Sequence, residues 1–556
     1  MRPYFLRDIS GGFLTLRAPN DPHPMTKPGL FNTPDGRSYA VTFALVSSLF
    51  LLWGFCNGMI DVMDKHFQKE LHLTLAQSAW VQFAHYLGYF LMAMPAGWLA
   101  SKLGYKGGII AGLLLVAVGG FWFIPATRIA TFPAFLLGVC VIASGLTFLE
   151  TVANPYTTVL GPKQFAATRI NLAQSCNGVG WILGPIAGAQ FFYSLDSSGN
   201  STGSATLWIP YAAVGAFVLL LCVVFFFARM PDIKTEDEFH LDDSDPEVTY
   251  APPANRPVAL LLLWLNIAVL SVAVGMIISA IVAIPSVGEK VYLSETEALW
   301  YAAASLCILG TGALFLNSRR ITNHSIWSHP HFSGSSLAQF FYVAAQCSIF
   351  AYFINYMTSQ IPGVPETWKF GMNGFASHMG WLQDWLTDWF EVHKNGLMGL
   401  SDKGASNLAS VAFGFFLGGR IIGAGLLRKF AAHNVLATFA ILSGICSLVI
   451  IGKLGWISAI AVFLAYFFMS ITFPTIFSLG IHGLGARAKK ASSFIVMAIM
   501  GGAIMPKLMG HIADQHDIAF GFIVPLVCFL LVALYGLTWS DLSGSQGVVV
   551  NASRGH

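Results

Sequence analysis

Apolar runs of about 20 residues recur from residue 40 almost to the end of this 556-residue chain, and no other feature limits its fold so severely. Each run is long enough to cross about 30 Å of hydrocarbon. No water is available there to bond peptide groups, so a spanning segment must be a helix or part of a closed barrel, and uninterrupted runs of this length select the helix. The runs fall at about 40–63, 76–100, 107–125, 132–154, 169–193 and 207–228, then 258–283 and 297–316, then 332–357, 404–428, 434–452, 456–478, 489–511 and 518–538. Six, two and six predict an all-α polytopic membrane protein of about 14 helices, built as two six-helix halves with an extra central pair.

The chain divides accordingly into a tail 1–39, a bundle 40–228, a polar linker 229–257, the additional pair 258–316, a linker 317–331, a second bundle 332–538 with a long loop 363–403, and a tail 539–556. Charged residues make up 10%, against about 25% in soluble domains, which excludes a cytosolic enzyme. A net charge of +3 offers no basic field for nucleic acid. The eight cysteines lie inside apolar runs without paired spacing, so neither a disulfide framework nor a zinc site is expected. The groups Asp514, His516, Asp517 and His324, His329, His331 sit in polar loops without a closed ligand set. No metal and no cofactor is expected.

The first 38 residues contain basic residues but no short apolar core followed by a cleavage site, so the first spanning helix is expected to serve as an internal signal. Lys102, Lys106, Lys163, Arg169, Arg229, Lys234, Arg256, Arg319, Arg320, Arg428, Lys429, Arg487, Lys489 and Lys490 fall in alternate connections. The positive-inside rule then puts those connections and both termini in the cytoplasm. The halves also echo each other: Arg169, Gly180 and Pro185 match Lys490, Gly501 and Pro506 at a constant offset, as duplicated halves would.

Within such runs a charge is costly, about 2.5–3.5 kcal/mol at a helix centre on insertion scales, and marks a functional candidate. Glu150 is the only charge between Arg128 and Lys163. It reads as an acid in a water-filled cavity that takes up a proton or accepts substrate hydroxyls. Asp61 follows a charge-free stretch from Ala40 to Ile60, and Asn57 lies one turn before it on the same face. Arg420 is a lone cation in its run and a candidate charge partner across the interface between halves; Lys507 is a second, placed to snorkel. Amides are frequent in the apolar segments: Gln82, Asn154, Asn171, Gln174, Asn177, Gln346 and Asn355. Amides beside aromatic rings suit a sugar, whose hydroxyls need several hydrogen bonds and whose C–H face stacks on a ring. Trp381, Trp385 and Trp389 recur every four residues among acids, the pattern of an interfacial amphipathic segment over 379–393.

Several segments carry a family resemblance: Leu52-Trp53-Gly54 with Asn57 and Asp61, Val81-Gln82 with Gly88-Tyr89-Phe90-Leu91, Leu149-Glu150-Thr151 with Ala153-Asn154-Pro155, Asn171-Leu172-Ala173-Gln174, Pro474-Thr475-Ile476-Phe477 and Ser492-Ser493-Phe494-Ile495. In these the chain resembles the major facilitator superfamily, and within it the L-fucose:proton symporter family that includes bacterial glucose/galactose transporters. The resemblance implies that Asp61 and Glu150 serve sugar binding and proton coupling, and that Gln174, Asn177 and Gln346 line the sugar path. It also implies that Gly97, Lys102, Gly104 and Lys106 form the cytoplasmic gating loop. Ser101 stands where that loop usually has an acid, and Gly58 and Ile60 replace amides of the fucose branch.

The expectation is a proton-coupled importer of a monosaccharide of the fucose, glucose or galactose type, working by alternating access as a monomer in a bacterial inner membrane. Its partners are then the sugar, the proton and the lipid bilayer, with no nucleic acid. A sodium-coupled or uncoupled sugar carrier is the alternative, followed by a non-transporting sugar sensor and a membrane-embedded sugar transferase, for which no Gly-rich phosphate loop is visible.

Overall fold

The computed structural model describes residues 29–32, 38–70, 75–78, 80–162, 165–192, 208–231, 256–283, 304–305, 308, 310, 312, 325–378, 389–392 and 398–544. Most of the expected helix 297–316 lies outside them, as do Trp381, Trp385, most of the linker 229–257 and the larger part of both tails.

The first half begins with α1 (Ala40–Glu70). Backbone of helical type then runs from Trp80 to Ile129, 50 residues, but Gly104 sits at φ 72° and divides it. At 1.5 Å per residue such a helix would measure about 75 Å, far more than one crossing. We number its parts α2 (80–103) and α3 (105–129); a glycine makes the break because its φ is positive. Next come α4 (Phe132–Val159), α5 (Ala166–Phe192) and α6 (Trp208–Phe227). The additional helix α7 is Arg256–Ala283.

In the second half α8 (Pro330–Ala351) continues after a 44° bend as Phe353–Ser359. It is followed by α9 (Asp402–Leu426), α10 (Ala432–Ile451), α11 (Trp456–Gly480), α12 (Lys490–Gln515) and α13 (Ile518–Ser543). Among the described residues ten helices are long and apolar enough to cross a membrane, or eleven with the bent α8, the 80–129 stretch counting once. Helix α5 is not among them. It carries Arg169, Asn171, Gln174 and Asn177, so its polarity marks it as facing protein rather than lipid.

Of the expected amphipathic segment 379–393 in the loop 363–403, only 389–392 are among the described residues, and these are extended rather than helical. A short helix (Glu366–Ala376) precedes β1 (Phe390–Val392), which pairs antiparallel with β2 (Met398–Leu400). Glu391 is therefore on a strand, and the Trp389 carbonyl accepts from Ser401 N instead of continuing a helix.

Glycines set how closely the helices approach. A Cβ on Gly54 would stand 2.0 Å from the Asn177 carbonyl oxygen, and one on Gly180 would stand 2.3 Å from that of Leu51. Gly54 and Gly58 on α1 thus face Gly180 and Gly184 on α5 backbone to backbone, the small-residue packing by which membrane helices gain contact. The repeat noted in the sequence has the same geometry: a Cβ on Gly501 of α12 would meet the Phe340 carbonyl oxygen of α8 at 2.1 Å. Gly180→Val is expected to destabilise the purified protein by at least about 1–3 kcal/mol and to displace the amides that α5 carries. An unchanged melting temperature with unchanged sugar affinity would show that α1 and α5 tolerate separation.

The halves meet along two seams, α5 against α9 and α2 against α12. At one end of the bundle Lys65 pairs with Asp402 at 3.7 Å, and the Tyr352 hydroxyl donates to the carbonyls of Leu75 (3.0 Å) and Pro506 (2.9 Å). At the other end the start of α12 packs on α2 and α4, while the end of α11 packs on α5. Both ends are closed. Helix α7 lies on α8, where Asn266 Nδ2 donates to the Ser333 carbonyl at 2.9 Å.

Candidate functional site

Between the halves lies a cavity of about 30 Å³ walled by Trp53 and Asn57 of α1, Tyr86 and Tyr89 of α2, Asn177 and Trp181 of α5, Val343, Gln346, Cys347 and Phe350 of α8, Arg420 of α9, Phe473 of α11 and Ile499 of α12. That volume holds one or two waters. A larger ligand requires the halves to part.

Arg420 organises the polar wall. It is buried, donates from Nε to the Ser470 carbonyl at 3.0 Å, and sends one terminal nitrogen to Gln174 Oε1 (3.1 Å), to Asn177 Oδ1 (3.2 Å) and to the Gln174 carbonyl. The Phe416 ring supports the guanidinium at 4.5 Å. Gln174 Nε2 donates in turn to Asn154 Oδ1 at 3.0 Å, which links α9, α5 and α4 across the seam. Fixed, multi-donor geometry of this kind is what a guanidinium supplies and an ammonium does not.

Glu150 stands one layer behind the wall. It is 2% exposed, and neither carboxylate oxygen has a hydrogen-bonding partner at normal geometry. Tyr89 and Asn154 are its polar neighbours, and Arg420 is within Coulombic reach. Trp53 Nε1 donates to the Tyr89 hydroxyl at 2.6 Å. With that oxygen already accepting, the Tyr89 proton is free to point at Glu150. Asn57 Oδ1 and Asn177 Nδ2 are likewise buried without partners, and such groups are costly unless something satisfies them.

Of the residues singled out in the sequence, Asn57, Asn177, Gln346 and Arg420 share the cavity wall, and Glu150, Asn154 and Gln174 lie directly behind it. Two are elsewhere: Gln82 is buried on α2 off the wall, and Asn355 is beyond the α8 bend, its carbonyl accepting from Ser359 Oγ at 2.6 Å. Asp61 is in α1, and its side chain lies outside the described residues. In the 97–106 segment Gly97 is buried, Lys102 lies over the Trp98 ring at 4.2 Å, Gly104 makes the break, and Lys106 donates to the Phe226 (2.7 Å) and Ala228 (2.9 Å) carbonyls at the end of α6.

One reading needs correction. Arg169, taken as a solvent-facing loop charge, is fully buried and donates to the carbonyls of Thr157, Thr158, Gly161 and Pro162 and to that of Leu30. The carbonyls left open where α4 ends need donors, and a cation there also opposes the helix dipole. Sequence reasoning passed over Trp53, Tyr89, Trp181 and Cys347 as wall residues. Helical spacing held the signal for two of them: Trp53 is one turn before Asn57, and Tyr89 is three residues after Tyr86.

Residues 42–360 match the family model described as Major Facilitator Superfamily. The L-fucose-proton symporter of Escherichia coli K12 is 33% identical over 501 residues, 90% of this chain and 93% of that protein. A glucose/galactose transporter of Brucella abortus is 26% identical over 519 residues, 93% and 98% of the two chains. The crystal structure of the transporter FucP in its outward conformation superposes with a TM-score of 0.58 at 29% identity, over 91% of this chain and all of that one. A D-xylose-proton symporter, 12% identical with a TM-score of 0.53 over 92% of this chain, shares the fold.

Proposed function

We propose that this chain, which belongs to the major facilitator superfamily, is a proton-coupled secondary transporter that imports a monosaccharide of the fucose, glucose or galactose type by alternating access. It is a transporter and not an enzyme. The observation that carries the reading is the buried Glu150 carboxylate beside Asn154, whose Oδ1 accepts from Gln174, the residue that Arg420 of the opposite half also engages. A proton on Glu150 and a sugar among Gln174, Asn177 and Gln346 then act on one network, so each alters the other's affinity, as linkage requires. The names of the relatives support sugar and proton as the two cargoes.

Arg420 engages the oxygens of Gln174 and Asn177 that sugar hydroxyls would use. Sugar entry displaces it, and the ring faces of Trp53, Trp181 and Phe350 lie on the same wall to stack on the sugar. Asp61 is assigned a supporting part in coupling from its place one turn beyond Asn57. We further assign fourteen spans, cytoplasmic termini, the bacterial inner membrane and a monomeric functional unit, supported by the run count, the distribution of Lys and Arg, and the completeness of the site within one chain.

The test is reconstitution in sealed proteoliposomes with labelled L-fucose, D-glucose and D-galactose. An inward proton gradient should drive accumulation, and sugar addition should alkalinise the medium. Accumulation under a sodium gradient at equal pH on both sides, without alkalinisation, would replace the proton by sodium. Absence of counterflow would remove transport altogether, leaving a sensor. In the same vesicles Gln174→Ala and Asn177→Ala should weaken apparent affinity by about 1–3 kcal/mol, the scale of an unsatisfied buried partner, with little change in protein yield. Lower yield at unchanged affinity would assign both amides to helix packing.

A further inference from the structure

His85 is 1% exposed, and neither of its ring nitrogens has a hydrogen-bond partner. It lies one turn before Tyr89 on α2, about 6 Å along the axis, on the side of the end closed by Lys65 and Asp402. Its ring packs against Tyr86 at 4.8 Å and Tyr89 at 5.2 Å, centroid to centroid. The Tyr89 hydroxyl is the group that reaches Glu150. An imidazole is a poor choice for filling apolar space, since a phenyl ring would pack there without two buried nitrogens to satisfy.

We propose that His85 is a protonatable relay on the route between the Lys65–Asp402 end and Glu150, with Tyr89 passing the proton on. The inference rests on Glu150 as the coupling acid. The transfer is a hop: the N–H bond of the imidazolium breaks as its proton joins the Tyr89 oxygen, directly or through one water, while the original Tyr89 O–H bond breaks and its proton goes to the Glu150 carboxylate. No electrons are exchanged, and His85 is left neutral. The Tyr89 oxygen takes a hydrogen bond from Trp53, and the Asn57 side chain is its other polar neighbour, so the incoming proton takes the place of the Asn57 contact. Histidine suits the step because its two ring nitrogens let it take up a proton on one side and release one on the other.

The other titratable or charged groups on elements packed about this part of α2 are Glu150 and Cys140 on α4, Cys56, Asp61 and Asp64 on α1, Cys347 on α8 and Lys507 on α12. Asp64 precedes Lys65 on α1, at the end of the bundle where Lys65 meets Asp402.

The experiment compares the full-length parent with His85→Phe and His85→Gln in proteoliposomes, using labelled L-fucose, D-glucose and D-galactose. Both variants should keep counterflow within about twofold of the parent. Sugar-induced alkalinisation and pH-driven uptake should slow at least about tenfold. Parental rates of alkalinisation in both variants overturn the proposal. So does an equal fall in counterflow and uptake in both, which assigns His85 to packing. Glu150→Gln in the same assay reads the underlying premise separately: alkalinisation persisting in that variant removes Glu150 as the acid, whatever the His85 variants do.

Discussion

Glu150→Gln is expected to abolish pH-driven accumulation while leaving counterflow of labelled sugar intact. The amide keeps the size of the carboxyl group and fits beside Tyr89 and Asn154, the polar neighbours of the buried acid. Packing is therefore retained. What disappears is the proton site, and with it the coupling free energy between proton and sugar, typically about 1–3 kcal/mol or 5–150-fold in affinity. Sugar affinity in the variant should no longer depend on pH, because the network joining the two cargoes has lost its titrating member. A variant that still alkalinises the medium on sugar addition at the parental rate moves proton coupling to another residue, with Asp61 next in line.

Arg420→Gln is expected to separate net uptake from exchange. Counterflow cycles only the loaded carrier, whereas net uptake also requires the empty carrier to close and reorient. In this closed arrangement Arg420 spans the seam to Gln174 and Asn177 and is held on its own half by the Ser470 carbonyl. Hydrogen bonds to a charged group contribute about 1.5–3 kcal/mol each, so losing even one disfavours closure of the empty carrier by about 10- to 150-fold. Glutamine cannot reach all these acceptors with its two donors. Net uptake should fall by about that factor while counterflow stays near the parental rate. An unchanged ratio of the two rates would show that the guanidinium does not hold the empty carrier shut.

Much of the architecture is legible in the sequence because the bilayer imposes it. A run of about 20 apolar residues has few alternatives to a spanning helix. The cost of polar groups in hydrocarbon likewise makes Glu150, Arg420 and the amides of α5 conspicuous in the sequence alone. Helical periodicity also puts Asn57 and Trp53 on one face, and the offset between Gly180 and Gly501 reveals the duplication.

Only the tertiary structure decided which faces meet. Spacing along one helix says nothing about the residue opposite, and that is fixed where Gly54 and Gly58 admit Gly180 and Gly184 to backbone contact. This contact sets α5 against α1 and so brings Asn177 to the cavity beside Asn57. It was also tertiary structure that put Glu150 behind Tyr89 rather than on the wall, and Arg169 at the end of α4 rather than in solvent. Sequence registers the penalty of a polar group in an apolar run, but the partner that offsets it comes from another helix, at a position set by how closely two backbones can approach.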